Sequence, residues 1–452
     1  MRYWKTIYAI ILTIFLTGCQ NTNPNFQKDA AKSEYIHRSM KKLTDVIVHD
    51  IISPPVASRD YAYPSIAAYE ALQNGYEDYQ SLAGQLNGLP ALPTPDAGKE
   101  YSFPLASIHA FLTTGKEFIF SAYEIEDFQQ EFYAEIDSVV NMPKDVYDRS
   151  IAYGEAVAAQ IIAWSKKDNY AEIRSSPQYD IPFDDPQKWQ PTPPDFMNGI
   201  EPHWNQMRPM VIKSASMFTP PPPTKYSTNK SSQFYKETLE VYEAVAKGTE
   251  EQKEIAKFWD CNPFVSHHAG HAMYATKKIS PGGHWIGITK IATEKTNSNM
   301  MQTVEAYTMV SISLYDAFIS CWDEKYRSKL VRPETVINAH IDKNWQPLLQ
   351  TPPFPEHTSG HSVISAASAL TLTKLYGDNF AYTDDTEVEY GLKARSFTSF
   401  IQASEEAAVS RLYGGIHYRP AIDFGVEQGR KVGAYVLDNV STRKSEVKIG
   451  MK

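Results

Sequence analysis

The chain has 452 residues, of which 42% are hydrophobic and 21% are charged, and its formal net charge is -9. This length and composition suffice for a large buried core, divided into two or three domains or built as one extended helical body. The acidic balance argues against nucleic acid or an acidic membrane surface as a partner, so any cationic site must be formed locally.

The N-terminus has the features of a bacterial export signal. Arg2 and Lys5 precede an apolar run, and Leu16-Thr17-Gly18-Cys19 resembles a lipobox. We therefore expect residues 1–18 to be a signal peptide and Cys19 to be lipidated, in an exported lipoprotein of the periplasm or cell surface. An uncleaved short anchor is the alternative. No later apolar run reaches 18 residues, so membrane attachment is expected through the lipid alone.

Apolar residues recur at helical spacing through most of the chain, whereas alternating strand patterns are scarce. The predicted fold class is therefore all-α, a helical bundle. We expect a flexible tether at 19–34, an N-terminal helical region at 35–175 and a proline-rich wrapping segment at 176–230. A C-terminal functional helical domain is expected at 231–440, followed by a polar tail at 441–452.

The proline-rich segment is the clearest break in the helical pattern. Its many fixed φ angles exclude helix over most of its length and favour an extended path over the surface. Trp189, Phe196, Trp204, Met207 and Met217 supply anchors, which favours an ordered segment over a disordered linker.

Two cysteines remain after Cys19, namely Cys261 and Cys321. A disulfide between them stays open, although separate buried thiols are the more frequent arrangement. A further cluster, His267, His268 and His271, would offer metal ligands if it lay on a helix, but a third suitably spaced ligand is missing.

A long helix is predicted to end near a cation at the rim of the core, although a lysine at a helix end is usually a solvated cap. Apolar residues follow helical spacing from Val304 to Trp322, and Lys325 continues the same face three residues later. Arg332 lies seven residues beyond, where Pro333 ends any helical continuation.

A second helix is predicted to begin at a Ser-Gly-His sequence. Pro352, Pro353 and Pro355 forbid helix, after which Thr358 or Ser359 can cap a helix that runs to about Tyr376. The free N–H groups at its start, including those of Gly360 and His361, are suited to an oxyanion. The absence of a Gly-x-Ser-x-Gly sequence argues against a serine hydrolase.

A third segment brings another arginine and histidine. Residues 397–412 are predicted to form a helix with Arg411 near its end, and a glycine-containing loop leads to His417. In the last helix, glycines recur every four residues at 425, 429 and 433, which predicts close helix–helix packing beneath the site.

Together the three segments, Lys325 to Arg332-Pro333, Ser359-Gly360-His361 and Ser410-Arg411 to His417, resemble the three-part signature of vanadium-dependent haloperoxidases and type 2 phosphatidic acid phosphatases. The resemblance covers about 100 residues in the expected order. It implies a helical bundle that holds vanadate or phosphate between helices.

Each residue of the signature has an implied role. The residues implied to hold the oxygens of vanadate are Lys325, Arg332, Ser359, Gly360 and Arg411. His417 is implied to bond vanadium axially, and His361 to act as the acid–base partner.

Two aromatic residues match positions that line the halide site of fungal-type members. An apolar wall formed by Trp322 and Phe354 would help to dehydrate a halide. The resemblance thus favours a haloperoxidase that uses hydrogen peroxide and halide, with iodide first and bromide next. A small organic acceptor and a homo-oligomer are left open.

Two other functions compete with this one. An exported acid phosphatase would hydrolyse phosphate monoesters through a phosphohistidine at His417, and a non-catalytic lipoprotein would only bind an oxyanion. The sequence also departs from the family pattern, since Thr358 replaces a proline and Ala421 stands where a carboxylate is frequent. Asp423 is predicted to supply the hydrogen bond that orients His417.

Overall fold

The structure is a computed structural model that describes residues 22–269 and 272–444. The predicted signal peptide and Cys19, together with the end of the polar tail, lie outside these residues. Within the described ranges, no helix is both long and apolar enough to cross a membrane.

Helices dominate the described residues, and the predicted all-α class is confirmed. Fifteen α-helices occur in the described ranges: α1 (Phe26–Ala30), α2 (Ser33–His49), α3 (Pro54–Gln73), α4 (Phe103–Gly115), α5 (Ala122–Glu135), α6 (Lys144–Ser165), α7 (Tyr170–Arg174), α8 (Gln233–Ala246), α9 (Glu250–Phe258), α10 (Pro281–Lys295), α11 (Met300–Ser328), α12 (Pro333–His340), α13 (Gly360–Tyr376), α14 (Phe400–Tyr413) and α15 (Arg419–Asn439).

Two small antiparallel hairpins accompany the helices. Their strands are β1 (Ser266–Ala269) with β2 (Ala272–Ala275), and β3 (Tyr382–Asp384) with β4 (Arg395–Phe397). Because His267 and His268 lie in a strand, the helical metal site suggested for them is wrong. His271 lies outside the described residues.

Helix α11 is the central element of the fold. Asn299 and Gln302 form a reciprocal capping box at its start, and it runs for 29 residues, or about 44 Å at 1.5 Å per residue. It packs against α3, α10, α13 and α15. The helix ends at Lys329, whose φ of 55° is left-handed, and Lys325 thereby sits in the last turn.

Helices α13 and α15 approach each other along the repeated glycines, as predicted. A Cβ at Gly429 would lie 2.0 Å from the Val363 carbonyl oxygen, and one at Gly433 would lie 3.0 Å from that of Ala367. Only hydrogen can be accommodated at Gly429, so this contact fixes the position of α13 and of the site at its start.

The N-terminal helices share one apolar core with the C-terminal helices. Helix α3 is buried along its length and packs on α11. Residues 26–30, expected to belong to a flexible tether, are instead helical, because Phe26 and Ala30 bury their side chains in this core. The division of the chain into regions stays a prediction.

The proline-rich segment follows an ordered path beside the site. Trp189 and Trp204 are fully buried, whereas Phe196 is 61% exposed and is not an anchor. The backbone N–H of Trp189 donates to the Lys329 carbonyl, and that of Ile200 donates to Pro353. The segment thus holds the end of α11 next to the chain that precedes α13.

Two helices begin at prolines, and one predicted helix begins late. Pro281 and Pro333 each start a helix, α10 and α12, because proline has no N–H to lose at the first position. Helix α14 begins at Phe400 rather than 397, because Arg395–Phe397 pairs as β4.

Candidate functional site

The three predicted segments meet around one small cavity of about 30 Å³. The end of α11, the start of α13 and the loop after α14 form much of its wall. Six predicted site residues line it: Trp322, Phe354, Gly360, His361, Arg411 and His417. The volume suits a small oxyanion or halide better than a large organic ligand.

Lys325 is fully buried behind this wall. Its Nζ donates to the carbonyl oxygens of Pro355 at 3.0 Å and Glu356 at 3.1 Å, and lies 4.9 Å from the centre of the Phe354 ring. Burial, reinforced by the charge of Arg332, lowers the pKa of Lys325 to about 7. An anion nearby would favour the ammonium form.

Arg332 precedes α12 and points its guanidinium toward His417. Its Nε donates to the Phe354 carbonyl at 2.9 Å, and its Nη1 donates to the Ile416 carbonyl at 2.8 Å and to His417 Nε2 at 3.1 Å. Nη2 is buried without a hydrogen-bond partner. An unpartnered buried donor of this kind is costly unless a ligand accepts from it.

His417 is held in one tautomer by its two neighbours. A guanidinium can only donate, so His417 Nε2 must accept from Arg332, and its Nδ1 carries the hydrogen. That hydrogen is donated to Glu356 Oε1 at 2.8 Å. Burial, reinforced by the charges of Arg332 and Lys325, holds the pKa of His417 well below its usual value. The imidazole is therefore neutral, with a lone pair on Nε2.

The prediction that Asp423 orients His417 is wrong. Glu356 makes this bond, and its Oε1 also accepts from the backbone N–H of Tyr418 at 2.9 Å. Asp423 is exposed on α15, because its place in the helix turns it away from the cavity. Burial raises the pKa of Glu356 to about 7.

Helix α13 begins at the Ser-Gly-His sequence, as expected. Ser359 caps the helix, its Oγ accepting from the backbone N–H of Ser362 at 3.3 Å. Gly360 faces Trp322, where an added Cβ would lie 3.7 Å from the indole. His361 Nε2 is buried without a partner, and burial, with the charge of Arg411, holds the pKa of His361 well below its usual value.

Arg411 reaches the cavity from the last turn of α14. Its Nη2 donates to the carbonyl oxygens of Trp259 at 2.7 Å and Ala256 at 3.3 Å, and its Nε donates to Ser410 Oγ at 2.9 Å. The side chain is 1% exposed. Its orientation therefore depends on the chain that follows α9.

Trp322 and Phe354 form an aromatic wall on one side of the cavity. Their ring centres are 5.0 Å apart, and Trp322 Nε1 donates to the Ile200 carbonyl at 3.2 Å. The proline-rich segment therefore fixes the indole, whose ring lies next to the cationic side of the site.

Sequence reasoning missed two polar residues at this site. One is Glu356, which lies between a proline and the Ser-Gly-His sequence and had no recognisable pattern. The other is Asn262, which lines the cavity and is 7% exposed. Asn262 Oδ1 accepts from the backbone N–H of Phe264 at 3.0 Å, which leaves Nδ2 buried and unpartnered.

The residues present fit an oxyanion. The Arg411 guanidinium lines the cavity, and the Lys325 ammonium and Arg332 guanidinium lie next to residues that line it. Three buried nitrogens here have no partner, namely Arg332 Nη2, His361 Nε2 and Asn262 Nδ2. Charged donors of this type match the oxygens of vanadate or phosphate. The single lone pair on His417 Nε2, which accepts from Arg332 Nη1, would be available to the central atom once Arg332 donates to an oxygen of the anion instead.

The two cysteines do not form a disulfide. Cys261 and Cys321 are both buried free thiols.

Comparison with known proteins identifies the family. The VCPO second helical-bundle domain matches residues 338–445. A crystal structure of a bacterial vanadium-dependent iodoperoxidase is 50% identical and superposes with a TM-score of 0.87, covering 92% of this chain and 98% of that one. The chain belongs to the vanadium-dependent haloperoxidases.

More distant structures share the fold. A holo-type bacterial vanadium-dependent chloroperoxidase is 17% identical with a TM-score of 0.67, covering 86% of this chain and 93% of that one. Its apo-type counterpart is 15% identical with a TM-score of 0.65, covering 86% and 95%. A comparison with curated protein sequences gives no match.

Proposed function

We propose that this vanadium-dependent haloperoxidase oxidises iodide with hydrogen peroxide, with bromide as a poorer substrate. The observation that carries the proposal is the neutral His417, whose Nε2 lone pair adjoins Arg332 and a cavity lined by Arg411. The 50% identity to an iodoperoxidase supports the choice of iodide.

We assign the site residues as follows. His417 Nε2 binds vanadium, while Glu356 holds the imidazole in the required tautomer. The oxygens of vanadate are held by Lys325, Arg332, Arg411, the Ser359 hydroxyl and the Gly360 amide. When bound, vanadate supplies the Lewis acidity that activates hydrogen peroxide toward halide.

His361 is assigned the proton-transfer role. Its Nε2 has no partner within the protein and the residue lines the cavity. An unprotonated imidazole at this place can take a proton from incoming hydrogen peroxide and return it to an oxygen that leaves as water. Burial, together with the charge of Arg411, lowers the pKa of His361 and keeps the histidine neutral until that proton arrives.

The aromatic wall favours the least hydrated halide. Trp322 and Phe354 close one side of the cavity without offering hydrogen bonds into it. A halide entering this side must lose water. Iodide loses water most easily and is also the easiest to oxidise, which makes it the preferred substrate.

The test is an assay of the purified protein with iodide and hydrogen peroxide, with and without orthovanadate. We expect triiodide to form only with vanadate, and we expect His417→Ala to abolish it. Asp423→Ala is the matched control, since this exposed residue lies in the helix after His417. It should retain full activity.

The same assay distinguishes the proposed function from the two alternative functions. A parallel reaction with a phosphate monoester should give no vanadate-independent turnover. Ester hydrolysis without vanadate would favour a phosphatase that uses His417 as nucleophile. Vanadate binding with neither activity would indicate a protein that only binds oxyanions.

We also propose that the mature protein is an exported lipoprotein anchored at Cys19. The lipobox-like Leu16-Thr17-Gly18-Cys19 supports this assignment. Labelling of cells with a tagged fatty acid should mark the wild-type protein and not Cys19→Ala. Equal labelling of both proteins would contradict the anchor.

A further inference from the structure

A second cluster of potential ligands adjoins the cavity, and one of its members, Cys261, also lines it. Cys261, His284 and Glu387 are 1%, 0% and 2% exposed, respectively. They come from three separate segments, the chain after α9, the first turn of α10 and the turn after β3. The assigned vanadate ligands do not include them.

The three side chains present one atom each to a common point. The distances are 3.3 Å from Cys261 Sγ to His284 Nδ1, 3.5 Å from Cys261 Sγ to Glu387 Oε1, and 3.2 Å from His284 Nδ1 to Glu387 Oε1. Metal–ligand bonds of about 2.0–2.3 Å at tetrahedral angles put ligand atoms roughly 3.3–3.6 Å apart. The observed triangle therefore matches one face of a tetrahedral zinc site.

The other nitrogen of His284 has the partner typical of a metal-bound histidine. Its Nε2 lies 2.8 Å from Asp384 Oδ2, and Asp384 is fully buried. A carboxylate at this position fixes the ring and makes Nδ1 a better ligand. Trp259 stacks on the imidazole with ring centres 4.5 Å apart, which further restricts its orientation.

We propose that Cys261, His284 and Glu387 bind a divalent zinc ion, with Asp384 as the hydrogen-bond partner of His284. Thiolate, imidazole and carboxylate together are a ligand set that Zn²⁺ accepts. On binding, the Cys261 thiol releases its proton to solvent, and Nδ1 of His284 must be free of hydrogen. Carboxylate and thiolate groups cannot donate hydrogen bonds to the oxygens of vanadate, so these ligands form a separate set from the assigned vanadate ligands, although Cys261 also lines the cavity.

The zinc ion would support the oxyanion site through Arg411. The Trp259 carbonyl, which accepts from Arg411 Nη2 at 2.7 Å, lies two residues before Cys261. Zinc would join the chain after α9 to α10 and to the turn after β3. Loss of the ion should therefore loosen the support of Arg411 as well as lower stability.

The rival explanation is a hydrogen-bonded ion network without metal, in which a protonated His284 lies between Asp384 and Glu387. The zinc site and the metal-free network are both consistent with the observed distances, so a measurement of bound metal distinguishes them. The full chain is produced with zinc in the medium, dialysed, and measured by plasma mass spectrometry without added vanadate. We expect about one zinc ion per chain.

Two variants and one control make the result specific. Cys261→Ser and Glu387→Gln should each lose most of the zinc, whereas Cys321→Ser, which changes the other buried thiol, should keep it. Phenanthroline should lower the unfolding temperature of the wild type and not that of Cys261→Ser. If either variant fails to fold, Co²⁺ added to metal-free wild type should give thiolate-to-cobalt absorption.

Wild-type protein without bound zinc and without cobalt uptake would overturn the proposal. Equal zinc in Cys261→Ser and Cys321→Ser would also overturn it, because zinc would then lie elsewhere. Vanadate-dependent iodide oxidation is measured on the same preparations. Iodide oxidation by wild-type protein that binds neither zinc nor cobalt would refute the zinc site alone, so failure of the zinc site and failure of the proposed function are separable.

Discussion

Removal of the Glu356 carboxylate tests whether Glu356 fixes His417 in the tautomer that vanadate binding would require. Glu356 Oε1 accepts from His417 Nδ1 at 2.8 Å and from the Tyr418 backbone N–H at 2.9 Å. In Glu356→Ala both donors are left buried and unpaired, which costs about 1–3 kcal/mol each in the free energy of unfolding. His417 also becomes free to adopt the other tautomer, in which Nε2 carries the hydrogen.

We expect Glu356→Ala to bind vanadate more weakly than the wild type. Loss of a partner that orients a metal-bound histidine lowers affinity by about 10–100-fold, and isothermal titration calorimetry of the vanadate-free protein measures it. Glu356→Gln keeps an acceptor oxygen and should lose less than Glu356→Ala. Asp423→Ala is the control and should bind as the wild type does. Unchanged affinity in Glu356→Ala, or a loss confined to Asp423→Ala, would refute the reasoning.

Three further predictions concern other parts of the site and its support. Because the pKa of Lys325 is lowered to about 7 and its ammonium form binds the anion, vanadate affinity should fall roughly tenfold per pH unit above that value. In Lys325→Arg, vanadate affinity should change less with pH. Equal pH dependence of vanadate affinity in the variant and the wild type would contradict this role. Asn262→Ala should weaken vanadate binding by about tenfold, since a hydrogen bond to a charged group is worth about 1.5 kcal/mol or more, and an unchanged dissociation constant would exclude the contact. Gly429→Ala should lower the free energy of unfolding by about 1–3 kcal/mol, because its Cβ would lie 2.0 Å from the Val363 carbonyl oxygen. Chemical denaturation measures this loss, and Gly282→Ala, where the nearest atom is 3.8 Å away, is the control. Equal losses of stability in the two variants would contradict the packing argument.

The helices could be predicted because local chemistry specifies them, whereas the candidate vanadate ligands were implied by the resemblance of three segments to a family signature. Apolar spacing marked α11 up to Lys325, and the prolines before Ser359 marked the start of α13. Repeated glycines predicted the contact with α15, since a four-residue spacing puts them on one helix face.

Residues that act across the fold could not be predicted in this way. Glu356 reaches His417 across 61 positions of sequence, and Asp423 was chosen only because it was near in sequence. Helix periodicity places Asp423 on the exposed face of α15. The positions of Asn262 and of the Cys261–His284–Glu387 cluster result from the meeting of chain segments that are distant in sequence. No local sequence pattern indicates such a meeting.

The central claim is that His417 Nε2 binds vanadium. A crystal structure of vanadate-soaked protein, with diffraction recorded on both sides of the vanadium absorption edge, tests it most directly. The account predicts one anomalous peak within bonding distance of His417 Nε2, surrounded by Lys325, Arg332 and Arg411. A peak at another place, or none at saturating vanadate, would contradict it.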